Sequence, residues 1–179
     1  MKIPMKKLKL IIQYFCTHTN GRFFGKTKLM KLFYFLDFGH VKKYGSPITY
    51  DKYVNMEHGP IPSIIMGLVN SVSDEESLLS DTIYIDRSEN QGIHKIKCYE
   101  KFIDDDEKYF SKSELELLKQ VARKYKDSNK DKIEKDSHNE APWKCTKFLQ
   151  EIPYALASKD KDCRVDKEEI ELMIRIVNG

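Results

Sequence analysis

The chain has 179 residues, 40% of them hydrophobic and 33% charged, with a formal net charge of +3. An apolar share of this size excludes an intrinsically disordered chain, and so small a net charge gives only weak attraction to nucleic acid or to an anionic membrane. The four cysteines, Cys16, Cys98, Cys145 and Cys163, lack the paired spacing of a zinc site, so reduced thiols in a cytoplasmic protein are expected.

The N-terminal segment predicts an amphipathic helix, because Leu8, Ile11, Ile12 and Phe15 recur at the helical spacing i, i+3, i+4 and i+7. It does not predict a secretory signal, since Gln13 interrupts the apolar stretch and no small-residue cleavage site follows. No stretch of the sequence is long and apolar enough to span a bilayer, so no membrane partner is expected.

A second, stronger helix is predicted over residues 26–44. Apolar side chains occur on most of its faces, and a helix of that kind is normally surrounded by other elements, so this one is expected at the centre of the fold. Gly45 follows at the position where a left-handed glycine ends a helix, and Pro47 prevents the helix from resuming.

Gly25, Lys26 and Thr27 resemble the end of a phosphate-binding loop. Such a loop needs four residues between its first glycine and the Gly-Lys-Thr triplet, and Asn20 occupies the position that must be glycine. The preceding segment is a predicted helix, where the loop requires a strand. Thr27 is therefore interpreted as a helix cap and Lys26 as a solvent-exposed lysine, and no nucleotide cofactor is expected.

Further elements are predicted beyond the central helix. A helix starts near residues 59–62, with its prolines in the first turn. Two strands, over residues 82–86 and 93–99, are joined through residues 88–92 into an antiparallel hairpin. Helix-capping spacings are found at residues 111–114 and 137–140, and a last helix is predicted from about Asp166.

These elements predict a mainly α fold, or α+β if the hairpin is counted. We expect a single domain over residues 1–179, built as a helical bundle around the central apolar helix with one small antiparallel β-hairpin. A hairpin alone is marginal in water, so it must pack against the helical body.

The titratable residues predict no catalytic site. Glu57, His58 and His138 would form an acid/base set only if folding brought two distant turns together, which is the hydrolase alternative. Each histidine is more simply interpreted as a hydrogen-bonded structural group, and no His-Glu-x-x-His motif is present to bind a metal. The protein is therefore not expected to be an enzyme, and no cofactor is predicted.

A nucleic-acid-binding regulator is a third interpretation, which requires that Lys112, Lys119, Arg123, Lys124 and Lys126 form one basic face. Acidic residues, Glu114 and Glu116 among them, alternate with these cations, as is typical of an ordinary solvated helix. Nucleic acid is therefore not an expected partner.

Residues 28–63 read KLMKLFYFLDFGHVKKYGSPITYDKYVNMEHGPIPS, and residues 137–144 read SHNEAPWK. In this order they resemble the landmarks of the Panacea domain, also called the SocA-like antitoxin domain. These landmarks are an aromatic helix, a Tyr-Gly-Ser-Pro turn, a His-Gly-Pro-x-Pro turn and a Ser-His turn that leads into Pro-Trp. The resemblance extends to about residue 150 and leaves residues 151–179 as a C-terminal extension.

The resemblance implies an intracellular bacterial or phage-associated protein without catalytic chemistry, the antidote of a toxin–antitoxin pair. Such domains bind a cognate toxin, here expected from an adjacent gene, and block it by direct contact. Some relatives act instead as adaptors that deliver a toxin to a protease, and a phage-associated regulator with the same fold is a further alternative. The sequence shows no second domain of the DNA-binding kind that many relatives carry, which puts operator binding in doubt and leaves regulation of its own transcription open.

We expect the partner to bind where the turn at residues 53–62 meets the turn at residues 137–143. Proline stiffens the backbone of both turns, which reduces the entropy lost on binding. The candidate contact residues combine aromatic, imidazole, proline and carboxylate side chains: Tyr53, Glu57, His58, Pro60, His138 and Trp143. Trp143 is interpreted first as a core residue and second as a partner anchor.

Overall fold

The structure is a computed structural model that describes residues 3–74, 77–87 and 94–178. Within these ranges the α-helices are α1 (Met5–His18), α2 (Lys26–Tyr44), α3 (Ser63–Asn70), α4 (Lys112–Lys124), α5 (Lys130–His138), α6 (Ala141–Lys144) and α7 (Lys167–Asn178). The strands are β1 (Tyr53–Met56), β2 (Gly59–Pro62), β3 (Ile83–Asp86) and β4 (Lys95–Cys98), and short 3₁₀ helices lie at Gly21–Phe23, Ser71–Ser73, Asp104–Tyr109 and Tyr154–Lys159. The fold is mainly α with a small β component, which confirms the predicted class.

Helix α2 lies at the centre of the fold, as its apolar faces predicted. Leu32, Phe33 and Tyr34 point to different sides of the helix, yet none has exposed surface. Helices α4 and α5 and strand β2 pack around it. Gly45 ends the helix at φ 79°, and its N–H donates to the Val41 carbonyl at 2.9 Å, so the predicted C-terminal cap is confirmed.

Helix α2 begins at Lys26, as predicted, but its N-cap residue differs from the prediction. Gly25 is the N-cap residue, with extended backbone that forms an isolated bridge to Lys95, and Thr27 is already the second residue of the helix. The interpretation of Thr27 as the cap is therefore wrong, because Gly25, two residues earlier, occupies the N-cap position. Lys26 is half-exposed, and its Nζ donates to Asn70 Oδ1 at 2.9 Å.

Residues 59–62 form a strand and not the predicted helix start. Strand β2 pairs antiparallel with β1, and α3 begins only at Ser63. The Ser63 N–H donates to the Lys52 carbonyl at 2.8 Å. In an antiparallel pair only every second residue bonds to the partner strand, so the residues of β2 that bond to β1 are the odd-numbered ones before Ser63. Pro60 and Pro62 thus stand where the ladder needs no N–H, which is where a strand accepts proline.

A third extended segment, residues 149–152, lies along the other edge of β1. The N–H of Leu149 donates to the Asn55 carbonyl at 2.8 Å, and the N–H of Ile152 donates to the Tyr53 carbonyl at 2.7 Å. Strand β1 is therefore flanked on both edges, which fixes the position of the β1–β2 hairpin against the helical body.

Strands β3 and β4 form the hairpin that the sequence predicted, with Ile83 opposite Cys98. Ile83 and Ile96 are buried, and the Ile96 N–H donates to the Phe24 carbonyl at 2.9 Å, so the hairpin packs on the helical body as expected. The predicted turn at residues 88–92 lies outside the described residues. The described part of the chain thus holds two hairpins where one was predicted.

Only one of the two predicted capping boxes caps a helix. Ser111 and Glu114 exchange hydrogen bonds at the start of α4, which confirms the first. The second is wrong, because Ser137 lies in the last turn of α5 and its hydroxyl donates to the Glu134 carbonyl at 2.7 Å. Helix α5 itself was not predicted, since Ile133 and Ser137 are its only fully buried residues and the rest of its sequence is polar.

The C-terminal segment is tied to α2 through Lys42. Its buried Nζ lies 2.9 Å from both Glu140 Oε1 and Asp160 Oδ2. Burial opposes the charge, but the two carboxylates outweigh it and raise the pKa of Lys42. Helix α7 begins at Lys167, one residue after its predicted start. Across the described ranges, the helices fall short of the length and apolar character that a membrane span requires.

Candidate functional site

The base of the β1–β2 hairpin is fixed by Asp37, a fully buried residue of α2. Its carboxylate accepts hydrogen bonds from the N–H groups of Ile48 and Thr49, both at 2.8 Å, and from the Tyr53 hydroxyl at 2.8 Å. Burial raises the pKa of Asp37 to about 6, although these hydrogen bonds act in the opposite direction. The loop that follows α2 is therefore held by a side chain of α2 itself.

The middle of the hairpin is fixed by Lys31, which has no exposed surface. Its Nζ donates to the Pro60 carbonyl at 2.9 Å, a group of β2 that the β1 ladder leaves free. Burial lowers the pKa of Lys31 to about 7, against the attraction of Glu134. This lysine satisfies a backbone acceptor and aligns the strand along α2.

The hairpin tip lies directly against the end of α5. Gly59 has φ 91°, and a Cβ atom built on it would lie 2.7 Å from Ser137 Oγ and 2.8 Å from Lys31 Cε. Only glycine combines this backbone conformation with such a close approach. The two turns that the sequence predicted as one surface do lie against each other at this point.

Trp143 supports the hairpin from the C-terminal side. Its ring stacks on His138 with centroids 3.9 Å apart, and its carbonyl accepts a hydrogen bond from Asn55 Nδ2 at 3.0 Å. Burial lowers the pKa of His138, so the stacked imidazole is mainly neutral at pH 7. Among the described residues, neither Trp143 Nε1 nor His138 Nε2 has a hydrogen-bond partner, although both atoms are buried.

The other predicted contact residues divide into exposed and buried ones. Glu57 and His58 are exposed at the hairpin tip, and His58 Nδ1 lies 3.2 Å from Glu134 Oε1. Tyr53 and Pro60 are buried, because each bonds inward to the α2 network, so neither offers its side chain to a partner in this structure. Both residues hold the hairpin in place, and their role in partner binding stays a prediction.

Beside the tip, an apolar groove of about 720 Å³ runs between the hairpin and α3. Glu57 and His58 lie at this groove, and its lining is mostly apolar, formed in particular by Val54, Met56, Ile61, Met66 and Phe148. We call it the hairpin groove. Phe148 is 60% exposed and the adjacent Leu149 is 63% exposed, whereas large apolar side chains are normally buried.

Leu149 also adopts a conformation that leucine rarely takes. Its φ is 65°, in the left-handed region, at a cost of about 1–2 kcal/mol for a residue with a Cβ. The segment bulges here, because Leu149 and Gln150 both bond to Asn55 of β1, and glycine is the usual residue at such a left-handed bulge position. An exposed leucine that is strained and buries little does not stabilise the isolated fold.

Among the described residues, the side chains of the hydrolase alternative, Glu57, His58 and His138, are not hydrogen-bonded to one another. Ser137 and Lys31, the groups of this cluster that could attack a substrate, have no exposed surface. The carboxylate beside His58 is Glu134 and not the predicted Glu57. No group of three or more His, Cys, Asp or Glu side chains is arranged to hold a metal ion in the part of the chain that the structure describes.

The cations of α4 do not form a basic face. Lys119 Nζ lies 2.6 Å from Glu107 Oε1, and Glu116 Oε1 lies 3.6 Å from Lys43 Nζ. Charges of both signs therefore alternate on this helix, which disfavours the nucleic-acid interpretation.

The fold and the groove define a mainly helical scaffold that presents a β-hairpin. Residues 29–144 match the model of the family described as antitoxin SocA-like, Panacea domain, which is more than half of the chain. The protein therefore belongs to the SocA-like Panacea domain family, as the resemblance indicated, and this membership implies a toxin partner in general terms. Comparisons with curated proteins and with solved structures gave no match.

Phe148 and Leu149 lie outside the matched range and were not predicted as site residues. In the sequence they form an ordinary apolar pair, and only the pairing of residues 149–152 with β1 turns them outward. Two adjacent apolar residues between Lys147 and Gln150 define neither a helical nor a strand period, so no periodic pattern points to them as site residues.

Proposed function

We propose that the protein neutralises a cognate toxin, encoded by an adjacent gene, by direct contact at the hairpin groove. In this proposal the chain is the antitoxin of a cytoplasmic toxin–antitoxin pair, and it performs no catalysis. Family membership supports the general role. The choice of surface rests on two neighbouring exposed residues: Phe148, which lines the apolar groove, and Leu149, whose backbone is strained.

The groove has the composition of a protein-binding surface. Its apolar floor would supply most of the gain on desolvation, and Glu57 and His58 form part of a polar rim. An exposed Phe that enters a partner's pocket is typical of the few residues that dominate binding energy. The hairpin beneath is held by Lys31 and Asp37, so little of it needs to become ordered on binding.

The test is a growth assay in cells that express the toxin from the adjacent gene with or without this protein. Phe148→Ser is expected to weaken binding by about 2 kcal/mol or more, about a thirtyfold loss of affinity, and to restore growth arrest. Ile176→Ser on α7 is the matched control, because Ile176 is 65% exposed and lies away from the groove lining. Calorimetric titration of the purified pair measures both affinities.

Two outcomes would contradict the proposal. One is full protection by Phe148→Ser, and the other is an equal loss in Phe148→Ser and Ile176→Ser. Toxin abundance is measured in the same cells, because a blocking antitoxin leaves it unchanged. A protease adaptor would lower it, which would favour the alternative mechanism on the same fold.

A further inference from the structure

A second cavity, of about 620 Å³, lies between the start of β1, residues 151–155 and helix α7. We call it the α7 pocket. None of its lining residues belongs to the lining of the hairpin groove, so the two sites are separate. Small-molecule sites have volumes of about 300–1,000 Å³, and the α7 pocket has this size. Its lining is mostly apolar, with Ile64, Ile152 and Ile174 beside three tyrosines.

Two of these tyrosines are held in place by bonds within the protein. The Tyr154 hydroxyl donates to the Asp51 carbonyl at 2.7 Å, and the Tyr154 ring lies edge-on to the Tyr53 ring with centroids 5.9 Å apart. The Tyr53 hydroxyl in turn donates to Asp37 of α2 at 2.8 Å. An aromatic wall that is already fixed loses little conformational entropy on binding, and it favours a flat aromatic ligand.

The third tyrosine, Tyr50, has a backbone conformation that tyrosine rarely adopts, with φ 55°. The chain is bound on both sides of it, because the Thr49 N–H donates to Asp37 and the Asp51 carboxylate accepts two N–H groups at the start of α3, at 3.0 and 2.9 Å. Glycine or asparagine is usual at such a position. Strained residues that their surroundings hold in place cluster at active sites and ligand clamps, and Tyr50 lines the pocket.

One cation of the pocket lining lacks an acidic partner. Lys52 Nζ lies 3.6 Å from Glu151 Oε2, and Lys167 Nζ lies 3.5 Å from Glu171 Oε1. The Arg175 side chain, within the part of the chain that the structure describes, bonds only to the Glu171 carbonyl, through Nε at 3.4 Å. Its terminal nitrogens are therefore available to a ligand, and the planar guanidinium is suited to bidentate binding of a carboxylate.

We propose that the α7 pocket binds a small aromatic carboxylate, with its ring against Tyr50 and Tyr154 and its carboxylate on Arg175. This site is independent of the proposed antitoxin function. The apolar lining removes the ring from water, and Arg175 distinguishes an acid from a neutral molecule of the same shape.

The experiment titrates the isotopically labelled full chain at pH 7 with naphthylacetate and, separately, with naphthylacetamide, which has the same shape and no charge. Amide NMR shifts are expected to change around residues 50–53, 151–155 and 171–175, which line the pocket. For a ligand of this size the expected Kd of naphthylacetate is about 1 mM or lower. The amide should bind about fivefold more weakly, because it loses one charge-assisted contact at an exposed site.

Two variants separate the two contacts. Arg175→Gln should weaken naphthylacetate about fivefold and leave naphthylacetamide unchanged, whereas Tyr50→Gly should weaken both ligands. Arg123→Gln is the matched control, because Arg123 is an exposed arginine of α4 outside the pocket lining, and it should change neither affinity. The proposal is overturned by shifts that do not saturate, by shifts confined to other surfaces, or by equal affinities for the acid and the amide. It also fails if Arg175→Gln binds naphthylacetate as the parent protein does.

Discussion

Gly59→Ala is expected to lower the free energy of unfolding by about 3 kcal/mol. The substitution places a Cβ on a residue with φ 91°, at a cost of about 1–2 kcal/mol. The same Cβ would lie 2.7 Å from Ser137 Oγ and 2.8 Å from Lys31 Cε, two side chains with no exposed surface into which to move. Overpacking of this kind costs about 1–3 kcal/mol.

The matched control is Gly67→Ala on α3. Gly67 is exposed within a helix and has no atom within 4 Å of a built Cβ, so alanine should stabilise the protein by about 0.5–1 kcal/mol. Urea unfolding followed by circular dichroism at 222 nm measures both variants. With a slope of about 2 kcal/mol per molar, Gly59→Ala moves the midpoint down by about 1.5 M.

A double variant tests whether the contact itself is the cause. Gly59→Ala combined with Ser137→Ala removes the nearest atom, so its loss of stability should be smaller than the sum of the two single losses. If Gly59→Ala stays within about 1 kcal/mol of the parent protein, the hairpin tip does not press on α5. The argument that the two family landmarks form one rigid unit would then fail.

Three further substitutions test other parts of the site. Between pH 7 and 10.5 the unfolded chain binds more protons at Lys31, so the parent protein should gain stability as pH rises, and urea unfolding of Lys31→Met should show a smaller gain. The pKa of Asp37 is raised to about 6, so between pH 3.8 and 6 the folded protein binds more protons at Asp37 than the unfolded chain does. Its contribution to stability should therefore fall as pH rises through this range. Thermal melts of Asp37→Asn should not show this trend. Leu149→Gly relieves the left-handed leucine, so its melting temperature should rise by about 2–4 °C while toxin affinity measured by calorimetry falls.

The helices with strong local signals were predictable from the sequence. Helix α2 has apolar residues on most of its faces and Gly45 at its end, and helix α4 has a capping box at its start. Each of these signals is carried by residues that are close together in the sequence. Helix α5 lacks such a signal, because its nine residues bury only Ile133 and Ser137. Its position depends on contacts with α2 and β2 that are distant in sequence.

Strand β2 was missed for a related reason. A Gly-Pro-x-Pro run is compatible with a helix start, whereas the observed strand pairs with β1 and accepts a hydrogen bond from Lys31 at the Pro60 carbonyl. Because that lysine lies 29 positions earlier in the chain, local propensity carries no information about the bond. The predicted meeting of the two turns succeeded because the family landmarks themselves form the contact.

The predicted contact set mixed two kinds of residue that the structure separates. Tyr53 and Pro60 lie inside and hold the hairpin in place, whereas the side chains of Phe148 and Leu149 are mostly exposed. The family match covers residues 29–144 and so includes the supports but not this exposed pair. Substitution of Phe148 or Leu149 could change the partner of such a scaffold at little cost in stability. The hairpin is positioned by side chains of other residues and by backbone hydrogen bonds, which these substitutions leave in place. Partner choice in this chain should therefore depend on residues that a family resemblance does not reveal.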